Sequence, residues 1–285
     1  MRLKEIQHIF QSELKEIYDE KEIDTLFFRL TGDFCGISRL TLALQPEITL
    51  TREEEQPLFE ALARLKEHKP VQQILGKADF YGLEFKVDEH VLIPRPETEE
   101  LVAWICKDHE KEKGKGLTLL DIGTGSGCIA VSLAVHLPLA RVAALDVSKK
   151  ALAIAKENAS RHKAHVGFIH LDILAVEDIP ISRLDIIVSN PPYIRNLEKS
   201  EIKNNVLLHE PHRALFVEDT APLVFYEKIA RLAWEKLQKG GKLYFEINQY
   251  LGKETVDMLK GKGFKNIELR KDLSGNDRMI KATKK

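Results

Sequence analysis

A parallel β-sheet with helices on both faces, preceded by a small all-helical segment, is the fold this sequence predicts. Three observations predict it. From Leu117 onward, short β-rich runs alternate with helical stretches, the pattern of an α/β layer. Before Phe80 the apolar residues follow helical spacing, and no strand alternation is convincing. The last two β-rich runs stand too close for a helix between them, so they should pair antiparallel.

Leu3, Ile6, Phe10, Leu14 and Ile17 form one apolar stripe of an amphipathic helix. Thr51 and Glu54 make a capping box ahead of Leu58, Leu62 and Leu65, with Pro57 placed to kink that helix. Two aromatic-rich runs around Gly82, within 78–87, suggest a short hairpin. The segment Leu92-Ile93-Pro94-Arg95-Pro96-Glu97-Thr98-Glu99 stiffens the chain before an apolar helix at Leu101–Ile105. The charged stretch 110–116 reads as a solvated loop. Strands are expected at 118–122, 141–147, 166–171, 184–189, 241–247, 265–271 and 278–283, with helices such as 150–162 and 222–238 between them. The expected domains are therefore 1–77 helical, 78–95 hairpin and linker, and 96–285 the α/β sheet.

Composition narrows the class. With 285 residues the chain is longer than one ordinary domain and shorter than three. Lys plus Arg is 43 and Asp plus Glu is 44, a net charge of −1. Residues 1–80 carry 11 basic and 15 acidic side chains, so the helical segment is net acidic. The balance over the chain argues against wholesale DNA or RNA binding, though not against a local basic patch. Cys35, Cys106 and Cys128 are odd in number and widely spaced, so neither a disulfide framework nor a metal site is expected. The chain opens on charged residues, and no apolar run approaches the ~18 residues of a membrane span. A cytoplasmic monomer away from membranes is the expectation.

The chemistry starts at Asp121-Ile122-Gly123-Thr124-Gly125-Ser126-Gly127, a glycine-rich turn between the first strand and a helix. Such a turn lets the backbone approach a ligand at a helix N-terminus. Asp146 closes the second strand, where an acid can accept both hydroxyls of a ribose, and Asp172 closes the third. Ile173 beside it can lie on a purine ring. Nicotinamide and methyl-donor cofactors both suit this arrangement, but residue 128 is Cys where the nicotinamide fingerprint has its last glycine. The fourth strand decides between them. Ser189-Asn190-Pro191-Pro192-Tyr193 follows an apolar run, and two prolines cannot continue a central strand. Asn190 and the Pro191 carbonyl are then held at the carboxyl end of the sheet, two acceptors for one NH2 group. Tyr193 offers a flat face beside them.

Asp121–Gly127 together with Asn190-Pro191-Pro192-Tyr193 resembles the class I S-adenosylmethionine-dependent methyltransferases of planar amino groups, whose sheet is Rossmann-like and seven-stranded. Phe80-Tyr81-Gly82, Leu92–Glu99, Asp272-Leu273-Ser274-Gly275-Asn276-Asp277-Arg278 and the helical N-terminal segment narrow the resemblance to the HemK-type release-factor glutamine methyltransferases, over essentially the whole chain. The resemblance implies methyl transfer from S-adenosyl-L-methionine to the side-chain amide nitrogen of the glutamine in the Gly-Gly-Gln loop of peptide-chain release factors. It implies that Gly123, Thr124, Gly125, Ser126, Gly127, Asp146, Asp172, Ile173 and Asn190 hold the donor. It also implies that Asn190, Pro191, Pro192 and Tyr193 hold the glutamine, with Asn190, Pro191 and Tyr193 catalytic. Some relatives carry an aromatic residue where this chain has Ile173.

An amide nitrogen is a poor nucleophile, and two acceptors for its N–H groups raise its electron density and fix its direction. The step needs alignment more than a general base, and the ten scattered histidines read as surface or packing residues. Glu246 either lines the site or is an ordinary strand-end carboxylate. Two competing readings are a nucleic-acid amino-methyltransferase and a non-catalytic release-factor or ribosome adaptor. A transfer assay on a Gly-Gly-Gln peptide separates all three.

Overall fold

The first apolar stripe folds as α1 (Leu3–Leu14), with Leu3, Ile6, Phe10 and Leu14 fully buried. Ile17 lies beyond the helix in a turn closed by its own amide on the Leu14 carbonyl. Asp19 caps α2 (Glu20–Cys35) by accepting from the Glu22 amide, and Gly36 ends it in the left-handed region at φ 67°. Ser38 caps the short α3 (Arg39–Leu44). The capping box on Thr51 and Glu54 opens α4 (Arg52–Lys66), which continues through Pro57 because Leu58, Ala61, Leu62 and Leu65 are buried along one face. The brief α5 (Val71–Leu75) completes the bundle. Phe10 and Phe27 meet edge to face at 5.2 Å in its core. Each such buried large side chain contributes about 1.5–3 kcal/mol.

The computed structural model describes residues 1–112, 114 and 116–285. Lys113 and Lys115, within the expected loop 110–116, lie outside the described residues. The chain divides into two units, Met1–Gly76 with Lys203–His209, and Lys77–Ile202 with Glu210–Lys285.

In the second unit, β1 (Lys77–Phe80) and β2 (Leu83–Lys86) form the antiparallel hairpin around Tyr81-Gly82. The hairpin is more than a linker. Phe80 and Phe85 are buried in the main core, and Asn158 Oδ1 accepts from the Lys86 amide at 2.7 Å. Pro96 occupies the first turn of α6 (Pro96–Asp108), where its missing N–H costs nothing. Alternation then sets in: β3 (Thr118–Ile122), α7 (Cys128–His136), β4 (Arg141–Asp146), α8 (Lys149–Arg161), β5 (Val166–His170) and β6 (Leu184–Ser189).

Small elements follow the two prolines. These are β7 (Ile194–Arg195), a 3-10 turn at Asn196–Glu201, α9 (Asn204–His209), α10 (His212–Leu215) and β8 (Phe216–Val217). Residues 203–209 were expected to belong to the sheet domain, yet they pack with the helical unit. There Gln73 Nε2 donates to the His209 carbonyl at 3.0 Å, and His209 Nε2 to the Glu67 carbonyl at 2.7 Å. The chain closes with α11 (Val224–Lys236), β9 (Leu237–Glu246), α12 (Gly252–Gly261), β10 (Lys265–Lys271) and β11 (Asp277–Thr283).

Seven strands form one sheet in the order β10-β11-β9-β6-β3-β4-β5. The five from β9 to β5 run parallel, while β11 is antiparallel to both β9 and β10, as the short final connection requires. Apolar clusters fill both faces of the sheet. The strand order reverses between β3 and β6, and the crevice at their carboxyl ends is where open α/β sheets bind ligands. Among the described residues no helix is long and apolar enough to cross a membrane.

Candidate functional site

The glycine turn after β3 is pinned by its backbone. The Gly123 and Thr124 amides both donate to the Leu145 carbonyl, at 2.9 and 3.0 Å. Gly125 N donates to Asp146 Oδ2 at 2.9 Å, and Ser148 N to Asp146 Oδ1 at 2.8 Å, so Asp146 is fixed from two sides. Gly125 has φ 56° and open space where a Cβ would lie, which leaves its backbone approachable. Gly127 has another use. Its φ is 82°, and a Cβ there would stand 3.0 Å from that of Ala155, so glycine lets α7 pack close against α8.

The prolines stop β6 as expected, and Ser189 Oγ donates to the Ile122 carbonyl at 2.6 Å, tying the ends of β6 and β3 together. Behind Asn190 lies a hydrogen-bonded chain that sequence did not indicate. Asn190 Nδ2 donates to Thr98 Oγ1 at 3.3 Å, and Thr98 Oγ1 donates to Glu246 Oε2 at 2.6 Å. Tyr193 Oη donates to Glu246 Oε1 at 3.0 Å, and the Tyr193 carbonyl accepts from Asn248 Nδ2. Burial pushes the Glu246 carboxyl up, against the pull of Thr98, Tyr193 and the nearby Arg278 guanidinium. Burial likewise raises the Tyr193 phenol, with the Glu246 charge adding to it.

A cavity of about 370 Å³ opens at these strand ends, within the range of small-molecule sites. Of the residues expected to hold a donor, Gly123, Gly125, Asp146, Asp172, Ile173 and Asn190 line it, joined by Pro191 and Pro192. Its mixed lining fits a molecule with polar ribose and amino-acid parts and a flat apolar ring: Ile173 is 6% exposed and apolar, Asp146 and Asp172 are carboxylates. Thr124, Ser126, Gly127 and Tyr193 do not line the cavity. Thr124 is turned toward Asp121, the Ser126 carbonyl accepts from Asn158, and Tyr193 is turned toward Glu246. Asp172 lies two residues past the end of β5, and its Oδ2 accepts from Arg213 Nη2 at 2.9 Å. Sequence reasoning missed the remaining walls, among them His90, Leu92, Pro211, Arg213 and Phe225. His90, one of the ten histidines, stands on the cavity wall with its side chain partly exposed. The segments that carry Leu92 and Pro211 are joined by the buried Glu210, which accepts from the Ile93 amide at 3.0 Å and pairs with Arg95. Glu246 does not line the cavity, and it is no free strand-end carboxylate either. Cys106 and Cys128 are buried and Cys35 is half-buried.

Asp121 sits fully buried beneath the turn, with Oδ2 accepting from Thr124 Oγ1 at 2.6 Å. Burial, aided by the charge on Asp146, raises its carboxyl from 3.8 to about 7. A carboxyl whose folded value exceeds its unfolded one loses stability as pH rises from about 4 to about 7, because only the unfolded chain ionises there. The rise is worth on the order of 4 kcal/mol. Urea unfolding of the ligand-free protein should therefore show Asp121→Asn gaining on wild type by up to about that amount across this window. Parallel pH profiles would refute the buried-acid assignment.

Comparison with known proteins gives the family. The family model described as Methyltransferase small domain matches residues 107–224, and that of the PrmC N-terminal domain matches residues 5–76. A protein of Flavobacterium psychrophilum, named release factor glutamine methyltransferase, is 53% identical over 99% of this chain and 99% of its own length. One of Bacteroides thetaiotaomicron with the same name is 43% identical over 95% of this chain and 96% of its own. The crystal structure of a methyltransferase from Pyrococcus furiosus shares the fold at a TM-score of 0.51 and 17% identity, covering 79% of this chain and 98% of that one.

Proposed function

The chain belongs to the release factor glutamine methyltransferases, and from that membership we propose that it methylates the side-chain amide nitrogen of the glutamine in the Gly-Gly-Gln loop of peptide-chain release factors, with S-adenosyl-L-methionine as donor. The observation that carries the reading is a shared wall: Asn190 and Pro191 line the same cavity as Gly123, Gly125 and Asp146. A group held by the first pair meets a molecule held by the others.

Gly123, Gly125 and Asp146 would hold the methionine and ribose parts of the donor, and Ile173 the adenine. When bound, S-adenosylmethionine supplies a methyl group already activated by the positive charge on sulfur. What remains for this chain is orientation. Asn190 Oδ1 and the Pro191 carbonyl accept from the two N–H groups of the glutamine amide, which raises electron density on its nitrogen and fixes its approach. Holding reacting atoms ~3–3.5 Å apart is worth ~7–11 kcal/mol of a barrier. Purified release factor incubated with enzyme and donor should gain one methyl group on that glutamine, read by mass spectrometry of the peptide. No gain, or a gain elsewhere, overturns the reading.

The helical unit has a separate role in this proposal. One glutamine side chain offers too little surface to select a protein, so selectivity needs a second contact. The helical unit carries no chemical motif and matches a domain model of its own, which supports its docking the folded release factor. Hydrogen exchange on the full-length enzyme should then show protection within residues 1–76 when release factor is added. Protection confined to the cavity walls would leave the helices as scaffold only. The same reading makes the protein a cytoplasmic monomer that does not bind DNA, in keeping with its net charge of −1.

A further inference from the structure

Glu246 is 1% exposed, and both of its oxygens are met by hydroxyls: Thr98 at 2.6 Å and Tyr193 at 3.0 Å. Arg278, held through Nε by Asp272 at 3.0 Å, supplies the neighbouring positive charge. In this geometry both Glu246 oxygens accept, one from Thr98 and one from Tyr193, and a threonine hydroxyl has a single proton to give. Once Thr98 directs that proton to Glu246, it has only lone pairs left for Asn190. The Asn190 atom facing Thr98 must then be a donor, Nδ2, as the 3.3 Å contact has it. The carboxamide is planar, so its Oδ1 is turned away from Thr98. Asn190 itself stands on the cavity wall.

We infer that Thr98 and Glu246 are positioning residues, which fix the rotation of the Asn190 carboxamide so that its oxygen, and not its NH2, is offered to an incoming amide N–H. The identity of that incoming group rests on the proposed function; the fixed rotation does not. A reversed carboxamide would set N–H against N–H and leave both unpaired, a penalty that falls on transfer. The Pro-Glu-Thr segment thereby acquires a physical use, since the first turn of α6 brings its Thr98 between β6 and β9.

Thr98→Val keeps the shape and deletes the hydroxyl, whereas Thr98→Ser keeps the hydroxyl. Single-turnover transfer should fall about ten- to a hundredfold in Thr98→Val and stay within about threefold in Thr98→Ser, with donor affinity by calorimetry within about twofold in both. In an Asn190→Ala background, Thr98→Val should lower the rate by no more than about twofold, because its effect runs through Asn190. Nitrogen-15 NMR of the Asn190 side chain gives a readout free of turnover: its amide protons should exchange with water at least about tenfold faster in Thr98→Val. A Thr98→Val enzyme with wild-type rate, an equal further loss on the Asn190→Ala background, or unchanged exchange each overturns the inference. If the wild-type enzyme methylates no release factor, the proposed function fails while the exchange measurement still decides the rotation.

Discussion

Replacing Asn190 by alanine should lower methyl transfer ten- to a thousandfold, about 1.4–4 kcal/mol of transition-state stabilisation. The substitution removes one of the two acceptors proposed for the glutamine amide. It also strips Thr98 of its donor, so the chain behind it loses its terminus. Calorimetric affinity for the donor should change far less than the rate, because Gly123, Gly125, Asp146 and Ile173 remain on the cavity wall. Single-turnover transfer near the wild-type rate would show that Asn190 does not hold the reacting amide.

Asp146→Ala should divide the effects the other way. Each oxygen of Asp146 accepts from a backbone amide, Gly125 on one side and Ser148 on the other. Each has a further lone pair for a ribose hydroxyl. Loss of the carboxylate leaves those donors unpaired and costs about 1–3 kcal/mol of donor binding, roughly five- to 150-fold in affinity. Saturating donor should recover a good part of the transfer rate, which no concentration of donor does for Asn190→Ala. Unchanged affinity in calorimetric titration would refute Asp146 as the ribose partner.

The parts of the site that could be read in the sequence share a local cause. Gly125 and Gly127 stand at positive φ immediately after a strand, and Pro191-Pro192 removes the donors that β6 would need to continue. Steric limits of this kind act on neighbouring residues, so they can be read along the chain. Even there the resolution is limited. Thr124, Ser126 and Gly127 belong to the expected turn, but the Thr124 hydroxyl is turned to Asp121, the Ser126 carbonyl accepts from Asn158, and Gly127 sits where a Cβ would crowd Ala155, which leaves Gly123 and Gly125 on the cavity. Similarly, the stripe of the first helix is correct to Leu14, while Ile17 falls in the following turn.

The fold class, the antiparallel ending of the sheet and the two motifs are legible along the chain, because periodicity, glycine conformation and proline chemistry are properties of short segments. What those segments meet depends on the packing of the whole chain. Strands β3 and β6 pair with Leu119 opposite Ile186, which brings the glycine turn and Asn190 to one crevice. Thr98 reaches Asn190 across 92 residues and Glu246 across 148. Residues 203–209 leave the sheet unit for the helical one, and His90, Pro211 and Phe225 become cavity wall. None of these contacts has a sequence period or a conformational requirement of its own. They follow from which buried faces pack together, and that is fixed only when the whole chain has folded.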